Sequence, residues 1–381
     1  MMERKAMNKL VVVKVGTSSL TKKDGTLDLD AIGCLVEQVA KAVKQGYRTI
    51  LVTSGAIASG IAELGVKPNP KDIVFRQACA ATGQGILMAH YRELFGRHGL
   101  KVAQVLLTKA DLADRISYLH TCNVLDRLLQ IGVVPIINEN DVTSVDEIIP
   151  VMKGYKVNFS DNDILSVLIA NATQADLIAI LTTVDGLYTT NPEKDGAQLI
   201  PHVERITPEL KKTVEGKSQL GRGGMKTKLE AAEIATQSGI PVVIANSRRE
   251  NVLLDILDGK QVGTLFKPAE KKMPGIKTWI AYGAGAKGQI HVNEGAKDAI
   301  LKGASLLAVG IADVSGRFDV GDVVELIGPD GKEFAKGTAN YSSEEIRLIK
   351  GMKTAQIRKS LGYIRQKEIV IRKNMHMIEC G

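Results

Sequence analysis

Short apolar runs alternate with amphipathic stretches along the first 266 residues of the chain. The apolar runs predict strands at residues 9–15, 48–56, 101–108, 133–140, 175–188 and 240–246. The amphipathic stretches predict helices at residues 30–45, 73–96, 116–132, 163–174 and 225–239. Strands that are apolar on both faces and separated by helices are typical of a buried parallel sheet. We therefore expect an α/β fold, a three-layer αβα sandwich with a mainly parallel sheet.

The pattern changes after Phe266. Residues 267–275 are charged and contain two prolines, which predicts a linker. Short strands separated by glycine-rich turns are predicted at residues 276–282, 288–292, 305–311, 322–328, 333–340 and 367–373, with one helix at 294–303. This pattern predicts a small β-barrel domain. We expect a first domain over 1–266, a linker over 267–275 and a second domain over 276–381 that ends in a basic tail.

Composition places the chain among globular proteins, with 44% hydrophobic and 24% charged residues in a total of 381. The four cysteines, Cys34, Cys79, Cys122 and Cys380, are scattered and form no CxxC pair. This spacing argues against a zinc site or a disulfide framework and fits a reducing compartment. No apolar run has the length of a transmembrane helix. We expect a cytoplasmic protein with no membrane partner.

The net charge of +8 is concentrated at the C-terminal end of the chain. Residues 267–381 carry 19 Lys and Arg against 13 Asp and Glu, and nine basic residues but one acidic residue lie between Arg347 and Lys373. Such a bias can attract nucleic acid. It is equally typical of a solvated basic face, so both interpretations stay open.

Polar and glycine-rich turns follow the predicted strands, where parallel α/β sheets bind their ligands. These turns occupy residues 14–19, 53–56, 138–141 and 181–186, and two further clusters at 160–163 and 221–228 precede helices. Lys14 interrupts an apolar strand just before Gly16, either as a fixed charge beside a phosphate or as a lysine that reaches out to solvent. Residues 221–228 combine three glycines with Lys226 and Lys228 before a helix, which suits phosphate binding or a surface loop.

Two acidic clusters suit substrate or lysine binding. Residues 160–163 could simply cap a helix, but two carboxylates around an amide exceed that need and could hold lysines, a magnesium–nucleotide or an amino group. Residues 138–141 form an acidic strand end that suits an α-ammonium group. The six histidines show no metal-ligand spacing, so we expect no metal held by protein side chains.

Two motifs resemble nucleotide-binding loops but lack the required context. Residues 283–288 satisfy GxGxxG, yet a strand is predicted after them where a dinucleotide-binding fold needs a helix. Gly216-Lys-Ser218 lacks both the earlier glycine and the leading strand of a P-loop. The sequence therefore argues against both the dinucleotide-binding fold and a P-loop kinase.

The motifs occur together in an order that resembles the glutamate 5-kinase family of the amino-acid kinase superfamily. They read VVVKVGTSSLT, LVTSGAIASG, PIINENDVT, FSDNDILSVLIA, LTTVDGLYTTNP and GRGGMKTKLEAA. Residues 303–311, 318–326 and 337–343 are similar to a PUA domain. The resemblance implies the amino-acid kinase fold followed by a PUA domain. It covers nearly the whole chain.

The resemblance implies ATP-dependent phosphorylation of the L-glutamate γ-carboxylate to glutamyl 5-phosphate, the first step of proline biosynthesis. It implies ATP and Mg²⁺ as cofactors, with the metal held mainly through the nucleotide. It also implies proline as a feedback inhibitor and a homo-oligomer, a dimer or a tetramer.

The resemblance also assigns roles to residues. The catalytic residues would be Lys14, Lys228 and Asp163, and the glutamate site would consist of Ser54, Asp141, Asn162 and Asp161. ATP would contact Lys14, Gly16, Thr182, Thr183, Arg222, Gly223, Gly224, Met225, Lys226, Thr227 and Lys228. Arg222 stands where the family commonly has threonine, and Thr183 where it commonly has aspartate. Both departures lie on the nucleotide side.

Two alternatives remain. Another amino-acid kinase is one, although acetylglutamate kinases tend to have a Gly-Gly pair where this chain has Gly16-Thr17, and aspartokinases carry a different C-terminal domain. The other is an RNA-binding regulator that acts through the PUA domain, which the basic C-terminal end would favour.

Overall fold

The computed structural model describes residues 8–69, 71–144, 162–213, 224–270 and 273–378. The chain divides into two compact units. The first comprises Met1–Asp111 and His120–Lys272, and the second comprises Leu112–Leu119 and Met273–Gly381. A short segment from the first half of the chain therefore belongs to the second unit. The predicted boundaries at residues 266 and 276 stay a prediction.

The first unit contains a mainly parallel sheet of eight strands within the described residues. The strands are β1 Leu10–Val15, β2 Arg48–Val52, β3 Lys101–Leu107, β4 Val133–Glu139, β5 Leu177–Thr182, β6 His202–Val203, β7 Val242–Asn246 and β8 Thr264–Phe266. Their order is β3-β4-β2-β1-β5-β7-β8-β6. Only the β7–β8 pair is antiparallel among these strands, so the predicted fold class is confirmed.

Helices connect these strands. They are α1 Thr17–Leu20, α2 Leu29–Lys44, α3 Ala56–Leu64, α4 Ile73–Arg97, α5 Lys109–Ala113, α6 Arg115–Gln130, α7 Asn162–Ala172, α8 Pro208–Thr213, α9 Met225–Gln237 and α10 Val252–Leu257. The five predicted helices correspond to α2, α4, α6, α7 and α9. Helix α2 begins at an Asp28 side chain that accepts from the Ala31 backbone N–H.

The alternation of side chains along β1 decides which helices each residue meets. Val11, Val13 and Val15 belong to one core cluster with residues of α2, α4 and α10. Because successive strand residues point to opposite faces, Val12 and Lys14 face the other layer, against which α7 packs. Lys14 is therefore directed toward α7 by the register of its strand.

A glycine contact brings α4 close to the start of α3. A Cβ atom added at Gly83 would lie 2.0 Å from the Ala56 carbonyl oxygen, so only glycine permits this approach. Gly55, which precedes α3, has a φ of 105°, in the left-handed region. These two glycines allow the turn after β2 and the middle of α4 to lie side by side.

The second unit contains a six-stranded, mainly antiparallel sheet within the described residues. Its strands are β9 Gly288–Val292, β10 Leu306–Leu307, β11 Ile311–Gly316, β12 Val323–Ile327, β13 Glu333–Ala339 and β14 Glu368–Met377, in the order β10-β14-β13-β12-β9-β11. The helices are α11 Gly275–Thr278, α12 Glu294–Leu301, α13 Ser343–Ile349 and α14 Thr354–Leu361. The sheet forms the predicted mostly β domain.

Two predictions for the second unit are wrong. Residues 276–282 are helical, in α11 and a π-helical turn at Trp279–Gly283, and not a strand. A short apolar run cannot distinguish the two states, and here Trp279 and Ile280 are buried at consecutive positions. The expectation of a single helix missed α13 and α14, of which α13 begins with a Ser342–Glu345 capping box.

The segment Leu112–Leu119 packs inside the second unit. The Trp279 indole N–H donates to the Leu112 carbonyl oxygen at 2.8 Å, and the Tyr118 ring lies 5.6 Å from the Trp279 ring.

Among the described residues, every helix is too short or too polar to cross a membrane.

Candidate functional site

Three charged side chains meet at the carboxyl end of β1. The Lys14 Nζ atom lies 2.5 Å from Asp163 Oδ1, and the Lys228 Nζ atom lies 3.0 Å from Asp163 Oδ2. All three residues are buried, with Asp163 fully so and Lys14 and Lys228 at 2% and 5% exposure. One carboxylate therefore holds two ammonium groups, one on each oxygen.

The pKa of Asp163 reflects two opposed effects. Burial by itself would raise the pKa of this carboxyl, but the charges of Lys14 and Lys228 and their hydrogen bonds outweigh it. The pKa of Asp163 is consequently held below its ordinary value, and the carboxylate is ionised at neutral pH. The cluster then carries two positive charges and one negative charge in a dry environment.

Local sequence places each member of this charged cluster. Asp163 lies in the first turn of α7 and Lys228 in the first turn of α9. A helix N-terminus favours a carboxylate such as Asp163. Gly224 precedes α9, and the Thr227 hydroxyl lies within hydrogen-bonding distance of both the Gly224 carbonyl (2.9 Å) and Asp163 Oδ2 (3.0 Å). Thr227 thus links the start of α9 to the shared carboxylate.

A network of neutral amides adjoins the charged cluster, because Asn162 precedes Asp163. The Asn162 Nδ2 atom lies 2.8 Å from the Thr53 carbonyl oxygen, 2.8 Å from Ser54 Oγ and 3.1 Å from Asn138 Oδ1. The Asn138 Nδ2 atom donates in turn to Gln84 Oε1 at 2.9 Å. The structure therefore brings together two predicted residues, Ser54 and Asn162, with three that were not predicted.

A buried hydroxyl pair supports the turn after β2. The Thr53 Oγ1 and Tyr91 hydroxyl oxygens lie 2.7 Å apart, and both residues are fully buried. Burial raises the pKa of the Tyr91 hydroxyl, and the hydrogen bond with Thr53 offsets part of this increase. Tyr91 is therefore neutral, and it ties α4 to the end of β2.

A pocket opens beside the amide network at the end of β4. Its lining consists of Ile57, Ile73, Arg76, Gln77, Glu139, Asp141 and Ser144. One wall is fixed by hydrogen bonds from Gln77 Nε2 to the Ser144 carbonyl and from Ser144 Oγ to Glu139 Oε1. The predicted residue Asp141 lies here, in a pocket that offers both a guanidinium and carboxylates.

The predicted nucleotide residues lie at the ends of β1, β5 and the start of α9. Gly16 directly follows β1, and a Cβ atom there would lie 3.5 Å from Lys14 Nζ. Thr182 ends β5 and its carbonyl accepts from the Ser247 N–H, whereas Thr183 is exposed. Gly224 to Lys228 begin α9, with Lys226 exposed. Asp161, Arg222 and Gly223 lie outside the described residues.

Four residues of the site were missed as individual candidates. Asn138 was recognised only within the 138–141 cluster, and Thr53 only within its turn. Gln84 and Tyr91 lie inside a long helix, where polar and aromatic residues draw no attention. The one signal available for Gln84 was its position between two glycines, Gly83 and Gly85.

Within the described part of the chain, acidic, histidine and cysteine side chains form no group of three that could hold a metal ion.

Comparison with known proteins identifies the family of the chain. The model of the amino acid kinase family matches residues 9–246, and that of the PUA domain matches residues 288–361. The chain is 46% identical to the glutamate 5-kinase of Moorella thermoacetica over 368 residues, which cover 96% of this chain and 95% of that protein. It is 45% identical to the glutamate 5-kinase of Methanosarcina barkeri over 378 residues, 97% of this chain and 96% of that protein.

Among solved structures, the chain is similar to carbamate kinase from Giardia lamblia bound to AMP-PNP, with 19% identity and a TM-score of 0.49. That similarity covers 69% of this chain and 100% of the carbamate kinase. The family match and the similarity to the two glutamate 5-kinases come from the sequence and do not depend on the structural similarity to carbamate kinase. The chain belongs to the glutamate 5-kinases of the amino acid kinase family, and it carries a PUA domain.

Proposed function

We propose that the chain transfers the γ-phosphoryl group of ATP to the γ-carboxylate of L-glutamate, and so makes glutamyl 5-phosphate in the first step of proline biosynthesis. The observation that carries this proposal is the buried Lys14–Asp163–Lys228 cluster beside the Ser54–Asn162 amide contact. The cluster supplies positive charge for a phosphoryl group, and the amides supply neutral polar groups for an amino acid. The two lie next to each other at the carboxyl ends of parallel strands.

The mechanism needs little covalent help from the protein. A carboxylate is already a nucleophile, so it attacks the γ-phosphorus in line without a general base. Lys14 and Lys228 stabilise the negative charge on the transferring oxygens. Asp163 holds the two ammonium groups in fixed positions, since each of its oxygens contacts one of them. Water exclusion around the cluster strengthens these interactions.

The nucleotide and substrate sites follow from the placement of the predicted residues. ATP would lie along Gly16, Thr182, Thr183 and the start of α9, where the backbone N–H groups of the first helical turn and the helix dipole favour phosphate. Glutamate would contact Ser54, Asn162 and Asp141. The roles of Asp161, Arg222 and Gly223 stay predictions.

Magnesium fits this site as a partner of the nucleotide. Asp163, the buried carboxylate nearest to the expected phosphates, is already engaged by two lysines and the Thr227 hydroxyl. A divalent ion bound through the ATP phosphates would supply further charge neutralisation during transfer.

We also propose, on the family resemblance, that the protein is cytoplasmic, forms a homo-oligomer and is inhibited by proline.

A substrate panel tests the proposed reaction. The chain is incubated with Mg²⁺-ATP and, separately, L-glutamate, N-acetyl-L-glutamate or L-aspartate, with hydroxylamine to trap an acyl phosphate as its hydroxamate. We expect ADP and hydroxamate to form in equal amounts when L-glutamate is the substrate, and neither product to form with the other two substrates. Turnover of either other amino acid, with none of glutamate, would assign the chain to a different amino-acid kinase activity.

RNA binding by the second unit is the alternative function. Several basic side chains in its C-terminal part are already engaged, since Lys350 pairs with Asp313, Arg365 with Glu345, and Arg347 with the Gly316 carbonyl. Filter binding of a structured RNA over a salt titration tests it, because phosphate contacts weaken steeply with salt. No retention at low salt would remove this alternative.

A further inference from the structure

Two buried amide atoms in the site lack a hydrogen-bond partner within the described structure. They are the Gln84 Nε2 atom, which is a donor, and the Asn162 Oδ1 atom, which is an acceptor. Gln84 is only 9% exposed. Buried polar groups without partners are rare because they lose their hydration and gain nothing in return. An unpaired donor and an unpaired acceptor in one network therefore point to a ligand that brings both complementary groups.

Backbone groups fix the orientation of each amide in this network. The Thr53 carbonyl can only accept, so the nitrogen of Asn162 must face it and the oxygen must face away. The Glu139 backbone N–H can only donate, and it donates to Asn138 Oδ1 at 3.0 Å. The nitrogen of Asn138 therefore faces Gln84 Oε1. Gln84 is left with its NH₂ group as the unpaired end.

The position of Gln84 places this NH₂ group at the substrate side of the site. Gln84 lies seven residues after Gln77 in α4, so the two side chains share one face of the helix. Gln77 lines the pocket that contains Asp141. The adjacent Gly83 touches the Ala56 carbonyl, which brings this turn of α4 to the Ser54 turn.

We propose that Gln84 is a substrate-binding residue whose Nε2 donates to the α-carboxylate of the amino acid, while Asn162 Oδ1 accepts from its α-ammonium. This inference rests on the proposed function. The γ-carboxylate must face the two lysines for phosphoryl transfer, so the amide side of the site receives the other end of the substrate. There an α-amino acid offers an acceptor and a donor on the same carbon, which matches the two unpaired atoms.

The experiment compares L-glutamate with 4-aminobutyrate, which keeps the reacting carboxylate and the amine but lacks the α-carboxylate. Both are assayed with the full-length chain, as substrates and, for 4-aminobutyrate, also as a competitive inhibitor against glutamate. The variants are Gln84→Met, which removes both the amide oxygen and the NH₂ donor, and Gln84→Glu, which keeps an acceptor for Asn138 but loses the NH₂ donor. Gln45, which is exposed at the end of α2, provides the matched controls Gln45→Met and Gln45→Glu.

We expect both Gln84 variants to lower kcat/KM for glutamate by about 10- to 100-fold, the range for loss of a hydrogen bond to a charged group. Turnover or inhibition by 4-aminobutyrate should change by no more than about twofold, the scatter expected for a site without that contact. The KM for ATP should stay the same. The preference for glutamate over 4-aminobutyrate would then collapse in both variants.

Two results would overturn the proposal. Equal losses for both ligands in Gln84→Met, together with unaltered kinetics in Gln84→Glu, would show that Gln84 only supports Asn138. Unaltered glutamate kinetics in both variants would show that Gln84 has no role in binding. A different failure, in which the unaltered chain phosphorylates no glutamate, would remove the proposed function and this inference with it. Thermal melting of each variant separates loss of folding from loss of binding.

Discussion

The two halves of the candidate site hold their buried polar side chains in position by different interactions. The proposed phosphate side holds Lys14, Asp163 and Lys228, buried charges that are stabilised because each ammonium group contacts one oxygen of the carboxylate. The proposed amino-acid side holds Asn138, Asn162 and neighbouring neutral groups. Consecutive residues of α7, Asn162 and Asp163, connect the two halves. A single helix start therefore serves both a charged and an uncharged region.

The difference lies in what fixes each side chain. In the charged cluster, each side chain is positioned by its charged partners, so removal of Asp163 leaves two buried ammonium groups without the carboxylate that they share. In the amide network, the Thr53 carbonyl and the Glu139 N–H fix orientation, and these backbone groups survive any substitution of a side chain. We expect the charged half to be the more sensitive to mutation, and the predictions below test that ranking.

The largest effect is expected for Asp163→Asn. The substitution removes the Asp163 carboxylate, which both ammonium groups contact, so the lysines repel each other and lose their positions. We expect kcat to fall by about 10³-fold, with a smaller change in the KM for glutamate. Steady-state kinetics with ATP and glutamate measure this, and the exposed Asp298→Asn variant serves as control. A kcat within tenfold of normal would contradict the central role of Asp163.

Lys228→Ala should have the next largest effect. If this buried charge stabilises the transferring phosphoryl group as proposed, its loss should lower kcat by about 10²-fold, or ~3 kcal/mol. Lys226, two residues earlier and exposed, should matter far less, with a change of about threefold or less in the KM for ATP. The control is Lys302→Ala in the second unit. Similar losses of activity in Lys226→Ala and Lys228→Ala would show that burial does not decide which lysine contributes to catalysis.

Asn162→Asp tests the neutral half. The substitution places a carboxylate oxygen against the Thr53 carbonyl, where an N–H donor stood at 2.8 Å. We expect the KM for glutamate to rise by about 10-fold or more, while the KM for ATP stays the same. Asn191→Asp, at an exposed loop position, is the control. An equal rise in both KM values would mean that the charged and neutral halves are not separable.

The smallest effect is expected for Tyr91→Phe. The change removes one hydroxyl from the buried pair with Thr53 and leaves the ring in place. The free energy of unfolding should fall by about 1 kcal/mol, measured from urea unfolding curves. The kinetic constants should be unchanged, because the backbone carbonyl of Thr53 still orients Asn162. A change in the KM for glutamate would place Tyr91 in the amide network itself.

Sequence reasoning anticipated the parts of this site that are contiguous along the chain. Lys14 stood out because a charge within an apolar strand is unusual. The 138–141 cluster stood out as an acidic strand end, and the 160–163 cluster as an acidic segment before a predicted helix. Gln84 and Tyr91 did not, since a long helix contains many such residues and their contacts are 54 and 38 positions away along the chain. In the second unit, Trp279 and Ile280 were assigned to a strand because a short apolar run fits either state.

The sequence by itself determined the alternation of buried strands and helices, the mostly β character of the second unit and the family resemblance. These follow from local patterns, because side-chain periodicity and turn residues act over a few positions. Only the tertiary structure decided that Lys14 and Lys228 share one carboxylate, and that an amide in α4 reaches the end of β4. Such pairings depend on strand order and on the close approach at Gly83, which no local pattern encodes.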